Sequence, residues 1–567
     1  MTSYGYRKGD SAPTSLPETI RSAGVRETVE SILVAVMLAL LFKAFEAEAF
    51  VIPTGSMAPT LQGSHKDVAC RQCDYRYRVS ASVENPDSSR PGRVVETCCP
   101  FCRFAQPVDP TTDANHGTFS GDRILVSKFS YDIAQPRRWD VAVFRFPENA
   151  KQPFIKRLVG LPGEQVALID GDIFARTVQT GDENVTNPWA LPGWKAARKP
   201  ERAQLAMWQE VFDSRFTPLS AMRDGSRWFT SPWVAGSQEG EWQIEDRRDY
   251  GYSGGAPTTL RWNDAFPILD SYAYNEPPPR QGGGPNGQYP VSDLRISMGV
   301  RPRGEGLTVS AVVEARRHEF RARVIPGGGD QSTAILEMRP TPVQAGADAA
   351  QAPWTELSSV NFKGGFAAGR ATNIELWHAD QSLRLYVDDR LVASAEYDWT
   401  PDERLRYALG MTLDEVAAND AALIFEQHYS RPGVRVEFSG GPFTLYRVAL
   451  ARDIHYRADT YHDYNDYVIA GERMLHSRRG QPAHGTHPKS TVILNQDQFF
   501  VCGDNSPQSL DARLWDVPNP WVAEMDRTTG VVNRDLLIGK AFFVYFPAPY
   551  RNHGVPVPDF GSMRFIW

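Results

Sequence analysis

The chain has 567 residues, 41% of them hydrophobic and 23% charged, with a formal net charge of −7. That length exceeds one hydrophobic core and, at about 150 residues per domain, suggests three or four units. The acidic balance excludes a general nucleic-acid binder, and six cysteines in so long a chain exclude a disulfide scaffold.

Residues 1–25 are polar and read as a cytoplasmic tail. Residues 26–48 contain TVESILVAVMLALLFKAF, apolar without interruption from Ile32 to Phe42. Crossing a bilayer takes roughly 17 to 25 residues, which this segment reaches if Lys43 snorkels. A cleaved signal peptide and a buried core helix are the alternatives, and the first lacks a small-residue cleavage pattern. Arg7, Lys8, Arg21 and Arg26 precede the segment, whereas Glu46 and Glu48 follow it. That bias predicts a single-pass anchor in the cell membrane, with the lipid bilayer as partner and everything after residue 48 on the outer face.

Residues 49–65 carry FVIPTGSMAPTL, an apolar run stopped by Pro53 and followed by a small-residue turn that presents Ser56. A lone turn of this kind is ordinarily surface punctuation, and a serine hydroxyl is a weak nucleophile until a base takes its proton. Residues 66–118 hold two C-x-x-C corners, Cys70/Cys73 and Cys99/Cys102, about 25 residues apart. Four thiolates so arranged suit structural zinc in a small ribbon; a disulfide pair or free thiols are the other readings, and Cys98 blurs the ligand set.

Residues 119–174 turn to β pattern in GDRILVSKF, RWDVAVFRFP and FIKRLVGLPGEQVALIDG. Lys156 and Arg157 are neighbours in the third strand and face opposite ways, so one of them points inward. A desolvated lysine loses its proton readily and becomes available as a general base. Residues 175–289 begin with a helix predicted over 202–216, with Leu205, Trp208 and Val211 on one face, and end in a Pro/Gly linker from Tyr274 to Tyr289. Residues 290–456 are short alternating strands, from LTVSAVVEA through IFEQHY to FTLYRVALARDIHY, which predict an inserted β-sandwich. Its IELWHADQSLRLYVDDRLV stretch resembles laminin-G or concanavalin-like folds; its ligand is not identified. In residues 457–567, His476, His484 and His487 read as loop histidines. GDNSPQSLDARLW then places Ser509, Asp511 and Arg513 at alternate positions, on one face of an extended chain, before a closing strand LLIGKAFFVYFP.

Anchor, FVIPTGSMAPTL, GDRILVSK, DVAVFRFP with FIKRLVGLPGE, GDNSPQSLDAR and IGKA, in this order, resemble type I signal peptidase, a family of Ser-Lys serine proteases; the matching stretches cover about 130 of the 567 residues. The resemblance implies a mainly β fold: a transmembrane helix, a signal-peptidase β domain, and the zinc-ribbon-like and sandwich segments as insertions. It implies Ser56 as nucleophile and Lys156 as base, with no cofactor in catalysis. Thr54 and the Ser56 N–H would form the oxyanion hole, Ser509 would hydrogen-bond the lysine amine, and Asp511 and Arg513 would support the loop. Phe50, Ile52, Met57 and Ile155 would wall shallow pockets for small residues, so that signal peptides of exported preproteins are cut after Ala-x-Ala. Ala512 stands where many members have serine, and Ser506-Pro507 replaces an Arg-containing continuation. The competing readings are an envelope glycan- or protein-binding protein built on the sandwich and a self-cleaving Ser-Lys regulator. No H-E-x-x-H zinc-protease motif is present.

Overall fold

The computed structural model describes residues 26–37, 47–85, 92–182, 185–218, 231–236, 241–244, 248–270, 288–341, 352–461, 468–469, 472–473, 480–547, 549–552 and 555–567. The polar tail, residues 38–46 of the expected anchor, most of the Pro/Gly linker and His476 lie outside them. Residues 26–37 are helical. Among the described residues no helix is long and apolar enough to cross a membrane.

An eight-stranded sheet forms the frame of the portion that carries Lys156. Its order is Ala47–Val51, Arg123–Ser127, Leu537–Phe546, Val141–Phe146, Asn149–Gly160, Gln498–Cys502 and Val532–Asn533, with Arg564–Phe565 on the side of Leu537–Phe546. Strands from both ends of the chain therefore interleave, and residues that are hundreds of positions apart become neighbours. Alternation makes one face apolar: Ile124 and Val126 pack with Val141, Val143, Ala541 and Val544. The opposite face buries Ala142, Phe144 and Leu158 against Phe500 and Trp515. A second, four-stranded sheet runs Lys195–Ala196, Asp172–Thr177, Glu164–Ile169, Val492–Ile493.

The insert is a two-sheet sandwich, with one sheet of eight strands and one of seven, facing across a core that includes Ile296, Val313, Phe320, Leu336, Leu376 and Val436. It begins earlier than the pattern predicts. Gln209–Asp213 pairs with Phe443–Arg452, and Thr258–Trp262 pairs with Gly433–Ser439, so strands before residue 290 belong to it. The helix expected over 202–216 is confined to Glu201–Met207, and the chain turns to strand from Gln209. Leu205 is 50% exposed while Trp208 is 7% exposed, so the expected apolar face does not exist. The IFEQHY stretch is likewise no strand: it is a turn with a short 3-10 helix, Glu426–His428. Two helices not anticipated, Pro401–Leu409 and Leu413–Ala418, pack Leu405, Leu409, Leu413 and Val416 against Phe174 and Trp189 beside the four-stranded sheet.

The cysteine segment is built from two hairpins, His65–Ala69 with Arg76–Ser80 and Glu96–Cys98 with Ala105–Pro107. It is not free-standing. Tyr75 stacks on Phe101 at 4.0 Å and meets Phe216 edge-on at 4.8 Å, which joins it to the insert.

Candidate active site

The serine turn follows from local chemistry. Phe50 pairs with Ile124 in the edge strand, and the Ile52 N–H donates to the Asp122 carbonyl at 2.9 Å. Pro53 has no N–H, so pairing stops there. Gly55–Met57 then form one turn of 3-10 helix. A Cβ at Gly503 would lie 2.4 Å from the Ser56 carbonyl oxygen, so only glycine lets the second loop come this close. That loop holds the turn directly: the Asn505 N–H donates to the Ser56 carbonyl at 3.0 Å and its side-chain amide to the Gly55 carbonyl at 2.9 Å.

Lys156 reaches the turn from Asn149–Gly160. Its Nζ lies 2.7 Å from Ser56 Oγ, across a hundred residues of sequence. The side chain is 3% exposed. Burial, partly opposed by the charges of Asp511 and Asp504, pushes the amine down to about 8 from 10.5. Arg157 does not face solvent on the other side of the strand. It is fully buried and grips Asp504 with two hydrogen bonds, Nε to Oδ1 at 2.8 Å and Nη2 to Oδ2 at 2.6 Å. The sheet is covered on both faces, so the alternation that sends one residue to the serine sends the other into an ion pair.

Asp511 and Arg513 pair through Nε to Oδ1 at 2.8 Å and Nη2 to Oδ2 at 2.9 Å, and the Gly503 N–H donates to Asp511 Oδ2 at 2.9 Å. Burial works against the Asp511 carboxylate, but the adjacent guanidinium outweighs it and holds the carboxyl below its usual range. Arg513 also donates to the Ser506 hydroxyl and carbonyl, both at 3.0 Å, so Ser506 anchors this loop. The Ser509 hydroxyl is buried and does not make the expected hydrogen bond to the lysine amine; it lies on the side of the Asp511 carboxylate instead. Residues 506–513 are a 3-10 turn and irregular chain rather than a strand, so strict alternation does not hold there. Thr54 is exposed at the rim of the turn, and its side chain makes no capping bond. Of the four expected pocket walls, Phe50 and Ile155 are partly exposed, whereas Ile52 and Met57 lie in the core at 2% and 0% exposure.

The four cysteines converge. Their sulfurs all lie within 4.8 Å of one another, with Cys70 to Cys102 at 3.4 Å and Cys73 to Cys99 at 3.7 Å. None is in a disulfide. Both corners close alike, with Asp74 and Arg103 at positive φ donating their N–H groups to the Cys70 and Cys99 carbonyls. Cys98 stands apart, its thiol near the Arg103 carbonyl at 3.3 Å. His484 and His487 sit in packed loops, and His487 Nε2 contacts the Val416 carbonyl at 2.8 Å.

The family "Signal peptidase, peptidase S26" matches residues 99–224 and 430–546, segments that contain Lys156 and the 503–513 loop and leave out Ser56. A signal peptidase I of Bacillus caldolyticus is 39% identical over 70 residues, 12% of this chain and 37% of its own. Over the two family-matched segments, less than half of its length, the chain is similar to the signal peptidase S26 family. A signal peptidase I of Pseudomonas fluorescens is 39% identical over 79 residues, 12% of this chain and 26% of its own. A probable signal peptidase I-1 of Synechocystis sp. is 25% identical over 186 residues, 31% of this chain and 64% of its own. The chain thus spans between a quarter and just under two thirds of these relatives. The carbohydrate-binding module CBM66 of Bacillus subtilis aligns with 39% of this chain and 95% of its own, at 10% identity and a TM-score of 0.20, a score that carries no argument for the sandwich.

Proposed function

We propose that this protein is a signal peptidase of the S26 type, a membrane-anchored serine endopeptidase that removes signal peptides from exported preproteins by a Ser56–Lys156 dyad. The observation that carries the reading is the 2.7 Å approach of a buried lysine amine to the serine hydroxyl. A neutral amine accepts the Ser56 proton as Oγ attacks the scissile carbonyl, returns a proton to the leaving amine, and then takes one from the water that hydrolyses the ester. The Ser56 N–H lies in the first turn of its 3-10 helix, where a backbone donor has no intrahelical acceptor, and so serves the developing oxyanion together with the Thr54 hydroxyl. The Asp511–Arg513 pair fixes the loop that holds the turn, and Ser509 stands beside it. Phe50 and Ile155 offer the apolar rim for the small residues of an Ala-x-Ala sequence, with Ile52 and Met57 as its floor.

Residues 26–48 supply the anchor in this reading, and the charges flanking them put the N-terminus in the cytoplasm and the active site on the outer face. The cysteine cluster fits zinc. Four sulfurs about 2.3 Å from a central ion stand about 3.8 Å apart, near the observed separations and far longer than a disulfide. Cys70, Cys73, Cys99 and Cys102 would hold the ion in a closed, structural site with no place for water. Ser56→Ala and Lys156→Ala are each expected to abolish cleavage of an Ala-x-Ala precursor in detergent or vesicles; near-normal turnover in either would refute the dyad.

A further inference from the structure

The cysteine-rich segment reaches past its own core to the serine turn. The Gly55 N–H donates to Ser82 Oγ at 3.2 Å, and the Asn85 side-chain amide donates to the Pro53 carbonyl at 2.8 Å. The Pro53 carbonyl also accepts from the Ser64 N–H at 3.3 Å. Ser82 is held in turn by Ser80 Oγ at 3.1 Å. The turn that carries it is fixed through Glu84, which pairs with Lys66 at 2.9 Å and accepts the Val94 N–H at 2.8 Å. Lys66 continues to the His116 carbonyl at 2.9 Å, so both ends of the segment are tied to one carboxylate. The Asn505 contacts grip Gly55 and Ser56 through their carbonyls. Ser82 and Asn85 grip Pro53 and Gly55 through the carbonyl and N–H that those contacts leave free.

We propose that the cysteine-rich segment is the second jaw of a clamp on the nucleophile turn, with Ser82 and Asn85 as positioning residues. They fix Pro53–Gly55 so that Ser56 Oγ faces the lysine amine. Neither touches the reacting atoms. Ser82 also occupies the Gly55 N–H, which leaves the Ser56 N–H as the backbone donor for the oxyanion. The inference rests on Ser56 being the nucleophile, and a segment added to the catalytic unit thereby becomes part of its precision.

The test is steady-state cleavage of a fluorogenic Ala-x-Ala peptide by the full-length protein. Ser82→Ala should lower kcat about tenfold, the worth of one lost hydrogen bond, with KM held. The acid limb of the pH profile should stay in place, because the lysine's surroundings are untouched, and Ser82→Thr should restore the rate. Asn85→Ala, at a partly exposed side chain, should lower kcat in the same sense and decides the matter if Ser82→Ala does not fold. Ser56→Ala runs alongside. If it cleaves like the parent chain, the nucleophile reading fails and the clamp with it. If it is inactive while Ser82→Ala and Asn85→Ala keep kcat within about twofold, the clamp alone is overturned.

Discussion

The base in the proposed dyad must be neutral to work, and burial sets where that happens. With the Lys156 amine at about 8, the neutral fraction is about one in a hundred at pH 6, one in eleven at pH 7 and ten in eleven at pH 9. The value of kcat/KM should therefore rise about tenfold per pH unit below the midpoint and level off above pH 9. The carboxylate of Asp511 is the largest of the charges that oppose burial at this amine. Asp511→Asn removes it and releases the Arg513 guanidinium, and both changes disfavour the ammonium form. The limb should then move to lower pH by about one unit or less. The same shift has a stability consequence. The folded amine titrates below its unfolded value, so between about 8 and 10.5 the unfolded chain binds more protons and stability rises with pH, by about 3 kcal/mol in full. The assay is cleavage of an Ala-x-Ala peptide from pH 6 to 10, with melting followed in the same buffers. A flat rate profile, or a limb that Asp511→Asn sends to higher pH, would refute the argument.

Removing one partner from the fully buried Arg157–Asp504 pair should cost about 3–5 kcal/mol, read as a fall in the denaturant midpoint of Arg157→Met, because a lone charge is left inside the protein. Metal analysis of the purified protein should give about one zinc per chain; Cys99→Ser should lose it and Cys98→Ser should keep it, as Cys98 stands outside the cluster. Brief exposure to a chelator should leave turnover unchanged, since the cysteines lie outside the proposed chemistry, whereas prolonged stripping should lower the melting temperature.

The serine turn and the lysine strand were legible because their signals are local. Pro53 and Gly55 mark a turn, and alternation around Lys156 marks a strand. The two helices at 401–418 had local signals too: Thr400 with Glu403 and Thr412 with Glu415 form capping boxes, and Pro401 sits at the first helical position. The alternating strands on either side obscured them. Trp208 misled for the opposite reason. Its spacing from Leu205 suits a helix, but pairing of Gln209–Asp213 with Phe443–Arg452 overrides local propensity. The partnership of Arg157 with Asp504 joins residues 347 positions apart and leaves no local trace. Ser506 looked like a departure from the family's pattern; in the fold its hydroxyl accepts from both Arg513 and the Arg457 N–H.

The interleaved order of the sheet that carries Lys156 also sets a schedule for its birth. Gln498–Cys502 covers the edge of Asn149–Gly160, yet the ribosome must first make the whole sandwich. At about 5–20 residues per second, the 347 positions between Arg157 and Asp504 take about 20–70 s. Throughout that interval the lysine-bearing strand has a bare edge, open to pairing with any other extended chain. The sandwich, whose strands are all made before Gln498, can fold first. Its exit, where the Tyr456 N–H donates to the Gly171 carbonyl, then returns the chain beside the point from which it left.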